Sequence, residues 1–197
     1  MSPRVALFII DVQNALASFP DSRVPHAERL ITVLEEILDA VRSFPVPSNP
    51  RQTPPLIVFA QHSQPPEDGA LVRGTEPWKL RFAPVQGNSN EMLVHKTTGD
   101  AFASNPTLAS ELRAAGVTHV ITLGLLSECC VQETALGAFG AGFQVSILEG
   151  AHSTYNAGDA TALEIEKEVE ELVRSHGGQS MPYTAALDKW RAAGAVC

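Results

Sequence analysis

Cysteine is scarce in this 197-residue chain: there are three, two of them adjacent as Cys129 and Cys130. An odd number without framework spacing argues against a disulfide-stapled fold and points to a reducing compartment, so a cytoplasmic location is expected. Excess positive charge is missing too. Lys and Arg number 14 against 22 Asp and Glu, a net charge of −8, and no basic cluster occurs. That balance argues against nucleic acid or an anionic membrane surface as a partner. Long hydrophobic runs are absent near the start, where the apolar stretch from Val5 to Ile10 meets Asp11. Such a stretch is too short for a signal h-region or a membrane span. Asn105 is followed by proline, and no Asn-x-Ser/Thr acceptor remains. There is no glycine-rich nucleotide loop either: the first apolar run leads straight into Asp11-Val12-Gln13, and Gly137, Gly140 and Gly142 fit no phosphate motif. Repeats and linkers are lacking, so one domain is expected over residues 1–197.

What is present is alternation. Apolar runs at 5–10, 56–60, 92–95, 117–124 and 143–148 read as strands. The stretches 27–41, 105–115, 160–175 and 185–193 read as helices, with 180–182 as a short edge strand. Strands alternating with helices predict a three-layer αβα, doubly wound, Rossmann-like fold with a mostly parallel sheet. On the helix 160–175, Ala162, Ile165, Val169 and Leu172 share one face, and the glutamates 164, 166, 168, 170 and 171 are expected on a solvated face. Phe44 to Pro55 is proline-rich and reads as a surface loop. Gln61 to Glu91 is long for a connection, as binding loops often are.

In folds of this kind the ligand crevice lies at the carboxyl ends of the strands. Asp11, His62, Lys96 and the 126–130 turn all fall there. Cys130 follows a strand and opens a helical segment, where unpaired N–H groups and the helix dipole favour a thiolate. Position alone is equally consistent with a small buried apolar residue. Asp11 ends an apolar strand, so desolvation should raise its pKa into a range suited to proton transfer, although it would also serve as a cap. Lys96 could simply extend to solvent. His95 is a rival base for a Cys–His pair, but alternation sends His95 and Lys96 to opposite faces.

Three segments carry a resemblance. Leu7-Phe8-Ile9-Ile10-Asp11-Val12-Gln13-Asn14, His95-Lys96 followed by Ala101-Phe102, and Gly124-Leu125-Leu126-Ser127-Glu128-Cys129-Cys130-Val131-Gln132-Glu133-Thr134-Ala135 occur in the order and spacing found in isochorismatase-like cysteine hydrolases. The chain resembles that family from about Val5 to Gly150. The resemblance implies Asp11 as general base, Lys96 as its cationic partner and Cys130 as nucleophile, with Cys129 structural. It also implies a cis Leu125–Leu126 peptide, an oxyanion hole from the N–H groups of Leu126 and Cys130, and a homo-oligomer.

Departures narrow the expectation. Nicotinamidases of the family carry an Asp-x-His metal segment where this chain has His62-Ser63-Gln64, a poor ligand set; no metal and no other cofactor is expected. Retention of Cys130 favours an amide, carbamoyl or ureido C–N bond in a small-molecule substrate, cleaved through a thioester. Vinyl-ether hydrolysis of isochorismate is the alternative within enzymes, and a non-catalytic or redox-sensing role is the alternative outside them. Glu149 stands where the family often has aspartate after its fifth strand. Gln13, His62, Trp78, Phe102, Glu128 and Tyr155 are candidate substrate contacts, being near strand ends or on the long loop.

Overall fold

A computed structural model describes residues 3–45 and 53–197 of the chain. Most of the proline-rich loop, residues 46–52, lies outside the described residues. In chain order the elements are β1 (Arg4–Ile10), α1 (Asn14–Ala17), α2 (Ala27–Ser43), β2 (Leu56–His62), β3 (Glu91–Lys96), α3 (Ala101–Ser104) and α4 (Leu108–Ala114). There follow β4 (Val117–Leu125), a helical turn (Ser127–Val131), α5 (Gln132–Gly140), β5 (Gln144–Ser153), α6 (Ala162–Ser175), β6 (Gln179–Pro182) and α7 (Tyr183–Ala193).

The six strands form one sheet in the order β3-β2-β1-β4-β5-β6, and every neighbouring pair runs parallel. The unbroken apolar character of β1 has its explanation here: the strand is covered on both sides. Leu7 and Ile9 pack with α2 and α7 through Leu30, Leu34, Ile37 and Trp190. Ala6, Phe8 and Ile10 pack with α4, α5 and α6 through Leu108, Leu112, Ala138 and Val173. Strand order reverses between β1 and β4, which makes their carboxyl ends the switch point where such sheets open a crevice. Among the described residues no helix is long and apolar enough to cross a membrane.

Several boundaries differ from the sequence-based expectation. β3 includes Lys96, which pairs with His62. The helix expected over 105–115 spans only Leu108–Ala114, behind Pro106 and a separate short α3. β5 continues five residues beyond Leu148 to Ser153. The polar residues His152 and Ser153 stay in the strand because they lie alongside Gly124 and Leu125 of β4. Glu149 is therefore within β5 rather than after it, accepting a hydrogen bond from Ser180 at 2.7 Å. Two of the α6 glutamates are not on a solvated face. Glu166 and Glu170 are 3% and 8% exposed: Arg29 holds Glu166 at 2.5 Å, and the His152 ring stands 3.4 Å from Glu170.

The long connection after β2 is tied down at both ends. Gln13 forms an antiparallel bridge to Leu80, and Glu91 anchors the return to the sheet. Its carboxylate accepts two hydrogen bonds from Arg42 at 2.9 Å, one from the Val85 N–H at 2.8 Å and one from Asn88 at 3.0 Å. Burial would raise the Glu91 pKa, but the bonds from Arg42, Val85 and Asn88 outweigh it and hold the group below its ordinary 4.5. A depressed acid contributes stability above its unfolded pKa and loses it as pH falls through the folded value. Glu91→Ala is expected to cost about 3 kcal/mol at pH 7, because it leaves a partly buried guanidinium unpaired. Thermal melts of the two proteins should converge in acid; a gap that stays constant down to pH 3 would show that the carboxylate charge contributes little.

Candidate active site

Each of the three central residues is placed by a strand end. Asp11 follows β1 with a φ of 50°, a conformation unusual for a residue other than glycine. Beside it, β4 reaches Gly124 at φ 118°. A Cβ on Gly124 would stand 2.2 Å from the Ile10 carbonyl oxygen, so only glycine lets β4 pass this close to the residue preceding Asp11. The Leu125–Leu126 peptide that follows is cis. The chain then turns through Ser127–Val131 into α5.

The result is a buried ion pair beside two thiols. Lys96 Nζ lies 2.7 Å from Asp11 Oδ2, each residue 1% exposed, and the ammonium also donates to the Thr98 carbonyl at 3.0 Å. Burial pushes the Asp11 carboxyl up to about 8, against the opposing pull of Lys96. Burial alone would lower Lys96; Asp11 and Cys130 more than offset it and hold the ammonium above its ordinary value. A carboxylate oxygen of Asp11, a ring nitrogen of His62 and the Cys130 sulfur lie within 4.8 Å of one another.

Cys130 does not follow the simple helix-start expectation of a depressed pKa. Its sulfur lies 3.8 Å from that of Cys129, close enough for one thiol to donate to the other. The S–H···S bond, with burial next, pushes Cys130 above its ordinary value. The same bond brings Cys129 down to about 7. Cys129→Ala removes the bond, and Cys130 is expected to ionise at lower pH in that variant. Iodoacetamide rates at Cys130 against pH, with Cys197 as internal control, would read the shift; an unchanged curve would show that the contact with Cys129 does not govern Cys130.

A cavity of about 320 Å³ opens over these groups, lined by Asp11, His62, Leu126, Cys129, Cys130 and Tyr155, with Ala15, Leu16, Ala70 and Leu71 as apolar wall and Ser22, Gln64 and Gly99 completing it. Tyr155 is fixed by donating its hydroxyl to the Ser22 carbonyl. Of the candidate contacts, His62 and Tyr155 line this space; Gln13, Trp78, Phe102 and Glu128 do not. Gln13 is a brace: its amide donates to the carbonyls of His62 and Trp78 at 3.0 and 2.7 Å and accepts from the His62 N–H at 3.0 Å. Trp78 donates to Ser63 at 2.8 Å and stacks on His95 at 5.9 Å, which holds His95 exposed and away from the cavity. Phe102 is packing, with its ring centroid 5.7 Å from Phe8 and 5.9 Å from Phe143. Glu128 points from an exposed position. Cys129, expected to be structural, lines the cavity.

The metal expectation can be tested on the donors. Asp11, His62 and Cys130 are the single group of three metal-ligating residues among the described residues, but Asp11 is already neutralised by Lys96 at 2.7 Å. Ser63, next to His62, is engaged by Trp78. A resident divalent ion would have to sit beside an ammonium, so the set fits one poorly.

Fold and site together define an α/β protein of the doubly wound class, with a thiol, a carboxylate and an ammonium gathered at the switch point of its sheet. The isochorismatase domain family matches residues 5–172, and the chain belongs to that family. A streptothricin hydrolase of Streptomyces noursei is 36% identical over 155 residues, covering 78% of this chain and 56% of that protein. This chain thus spans about half the length of the streptothricin hydrolases it matches. Nicotinamidase 3 of Arabidopsis thaliana is 27% identical over 164 residues, 77% of this chain and 74% of that one. The crystal structure of an isochorismatase-like hydrolase from Alkaliphilus metalliredigens superposes with a TM-score of 0.79 at 20% identity, over 95% of this chain and 97% of the other, and shares the fold.

Proposed function

We propose that the protein hydrolyses a C–N bond of a small, uncharged amide, carbamoyl or ureido compound through a thioester on Cys130. The observation that carries this reading is the Cys130 sulfur within 4.8 Å of the Asp11 carboxylate on the wall of a largely apolar cavity. Similarity to proteins named streptothricin hydrolase and nicotinamidase supports a hydrolase.

The chemistry follows from proton placement. Asp11 as carboxylate takes the Cys130 proton while the sulfur bonds to the substrate carbonyl carbon. Lys96 keeps the carboxylate site electrically balanced during the transfer. Backbone N–H groups of Leu126 and Cys130 are the donors for the oxyanion, a contribution of about 10²–10³ in rate per donor. Asp11 returns the proton to the leaving amine, and water then releases the acid. No lysine or arginine lines the cavity among the described residues, which disfavours a dianion such as isochorismate. Three free thiols support a cytoplasmic setting, and family membership supports a homo-oligomer.

Acid-quenched reactions with a panel of neutral amides should show an acyl mass on the Cys130 peptide. Because Asp11 must be ionised to accept the proton, kcat/KM should fall as pH drops through about 8. No adduct on Cys130 with any amide, or a rate that rises toward acid, would rule the reading out.

A further inference from the structure

The thioester reading leaves one base at the cavity without a task. His62 ends β2 and lines the cavity, and its Nδ1 is buried with no hydrogen-bond partner. Buried polar atoms are nearly always paired, because an unpaired one costs free energy without return. Here the backbone of the residue is clamped on both sides by Gln13, which donates to its carbonyl and accepts from its N–H. The backbone at this strand end is thus fixed, and the ring borders the cavity. A ring nitrogen lies within 4.8 Å of both the Cys130 sulfur and an Asp11 oxygen.

We propose that His62 is the general base of the second half-reaction, drawing a proton from the water that attacks the Cys130 thioester. The inference rests on the thioester reading and extends it. Water oxygen bonds to the acyl carbon as its proton passes to the imidazole. The tetrahedral intermediate then expels sulfur, breaking the C–S bond, and the imidazolium proton moves to the Cys130 sulfur. The carboxylic acid leaves and the thiol is restored, with no other reagent consumed. Asp11 is less suited to this step: it is 1% exposed and ion-paired with Lys96 at 2.7 Å. His62 is only half-buried and meets the cavity from which water arrives. Burial, and then the nearby Lys96 ammonium, hold the imidazole below its ordinary pKa against the pull of Asp11, the Thr98 backbone and the Gln64 side chain. The ring is accordingly neutral, and able to accept a proton, at physiological pH.

p-Nitrophenyl acetate separates the two half-reactions, since p-nitrophenol reports acylation and the steady rate reports deacylation. The experiment is best run in the Cys129→Ala background, so that the neighbouring thiolate does not react. His62→Ala and His62→Gln should both give a burst of about one p-nitrophenol per chain, with an acetyl group on the Cys130 peptide. Their steady rate should fall by about 10²–10⁴ relative to the His62 parent. Hydroxylamine, a nucleophile that needs no base, should restore turnover in both. An unchanged steady rate in either variant overturns the proposal, as does a burst that falls in parallel with it. A His62 parent that releases no p-nitrophenol and acquires no acetyl on Cys130 overturns the thioester reading itself and the proposal with it.

Discussion

Cys130→Ala is expected to abolish turnover, by about 10⁵-fold or more, and to leave the fold standing. The magnitude follows from the role: without sulfur there is no acyl intermediate, and removing a covalent nucleophile typically eliminates nearly all of the rate beyond what binding and the oxyanion donors supply. The structure indicates why folding should survive. Cys130 is half-buried and packs at the edge of the cluster formed by Phe8, Val131 and Ala135 rather than at its centre. Loss of one sulfur there should cost no more than about 1 kcal/mol. The variant also decides whether Cys129 can stand in. Cys129 is pulled down to about 7 by its contact with Cys130 and also lies on the cavity wall, yet the group of Asp11, His62 and a sulfur is completed by Cys130. Circular dichroism and thermal melts should match the parent, while amide turnover is lost. Turnover within tenfold of the parent would transfer the nucleophile to Cys129 or remove the thiol from the mechanism.

Lys96→Met should produce the second-largest effect, and a pH-dependent one. Methionine fills the space of the lysine stem but leaves the Asp11 carboxylate buried without its cation at 2.7 Å. Lys96 is one of the forces that hold the Asp11 pKa down against burial. Without it the carboxyl is raised further and stays protonated across the physiological range, so it cannot accept the Cys130 proton. A drop in kcat/KM of about 10³ is expected, within the span of lost general-base catalysis. The sign of the stability effect follows from linkage. A carboxyl whose folded pKa lies far above its unfolded value near 3.9 binds more protons folded than unfolded, so stability declines as pH rises between the two. The variant should melt close to the parent up to about pH 8, where the parent's carboxyl ionises beside Lys96, and progressively below it at higher pH. Breaking such a pair costs about 3–5 kcal/mol once the remaining charge is forced to form. A melting difference independent of pH would mean that Asp11 is not the group left uncompensated.

How much of this was legible beforehand differs by residue. The parallel sheet follows from pattern: β1 reads as a two-sided apolar strand because helices cover both its faces, and Asp11 stands out because it interrupts that run. Lys96 and Cys130 are visible as polar groups at strand ends, and alternation correctly sends Lys96 inward and His95 out. The apolar cavity wall was not legible. Leu16, Ala70 and Leu71 are ordinary apolar residues on separate segments, and nothing local distinguishes a cavity wall from core. Phe102 shows the same ambiguity from the other side: an aromatic beside the lysine segment that turns out to pack on Phe8 and Phe143.

Local chemistry and periodicity thus settle which residues can do chemistry and which strand ends they occupy, because both are encoded within a few positions along the chain. Protonation and access are long-range properties. The opposite shifts of Cys129 and Cys130 depend on a 3.8 Å contact between side chains and on their burial. The elevated Asp11 carboxyl arises from the desolvation that a closed sheet imposes. The place of His62 at the cavity depends on a backbone clamp by Gln13, 49 positions away. Burial of Glu166 and Glu170 needs Arg29 and His152, which reach α6 from other elements. Electrostatic free energy depends on distance in space and on the exclusion of water, and neither quantity exists until the strands have been laid side by side.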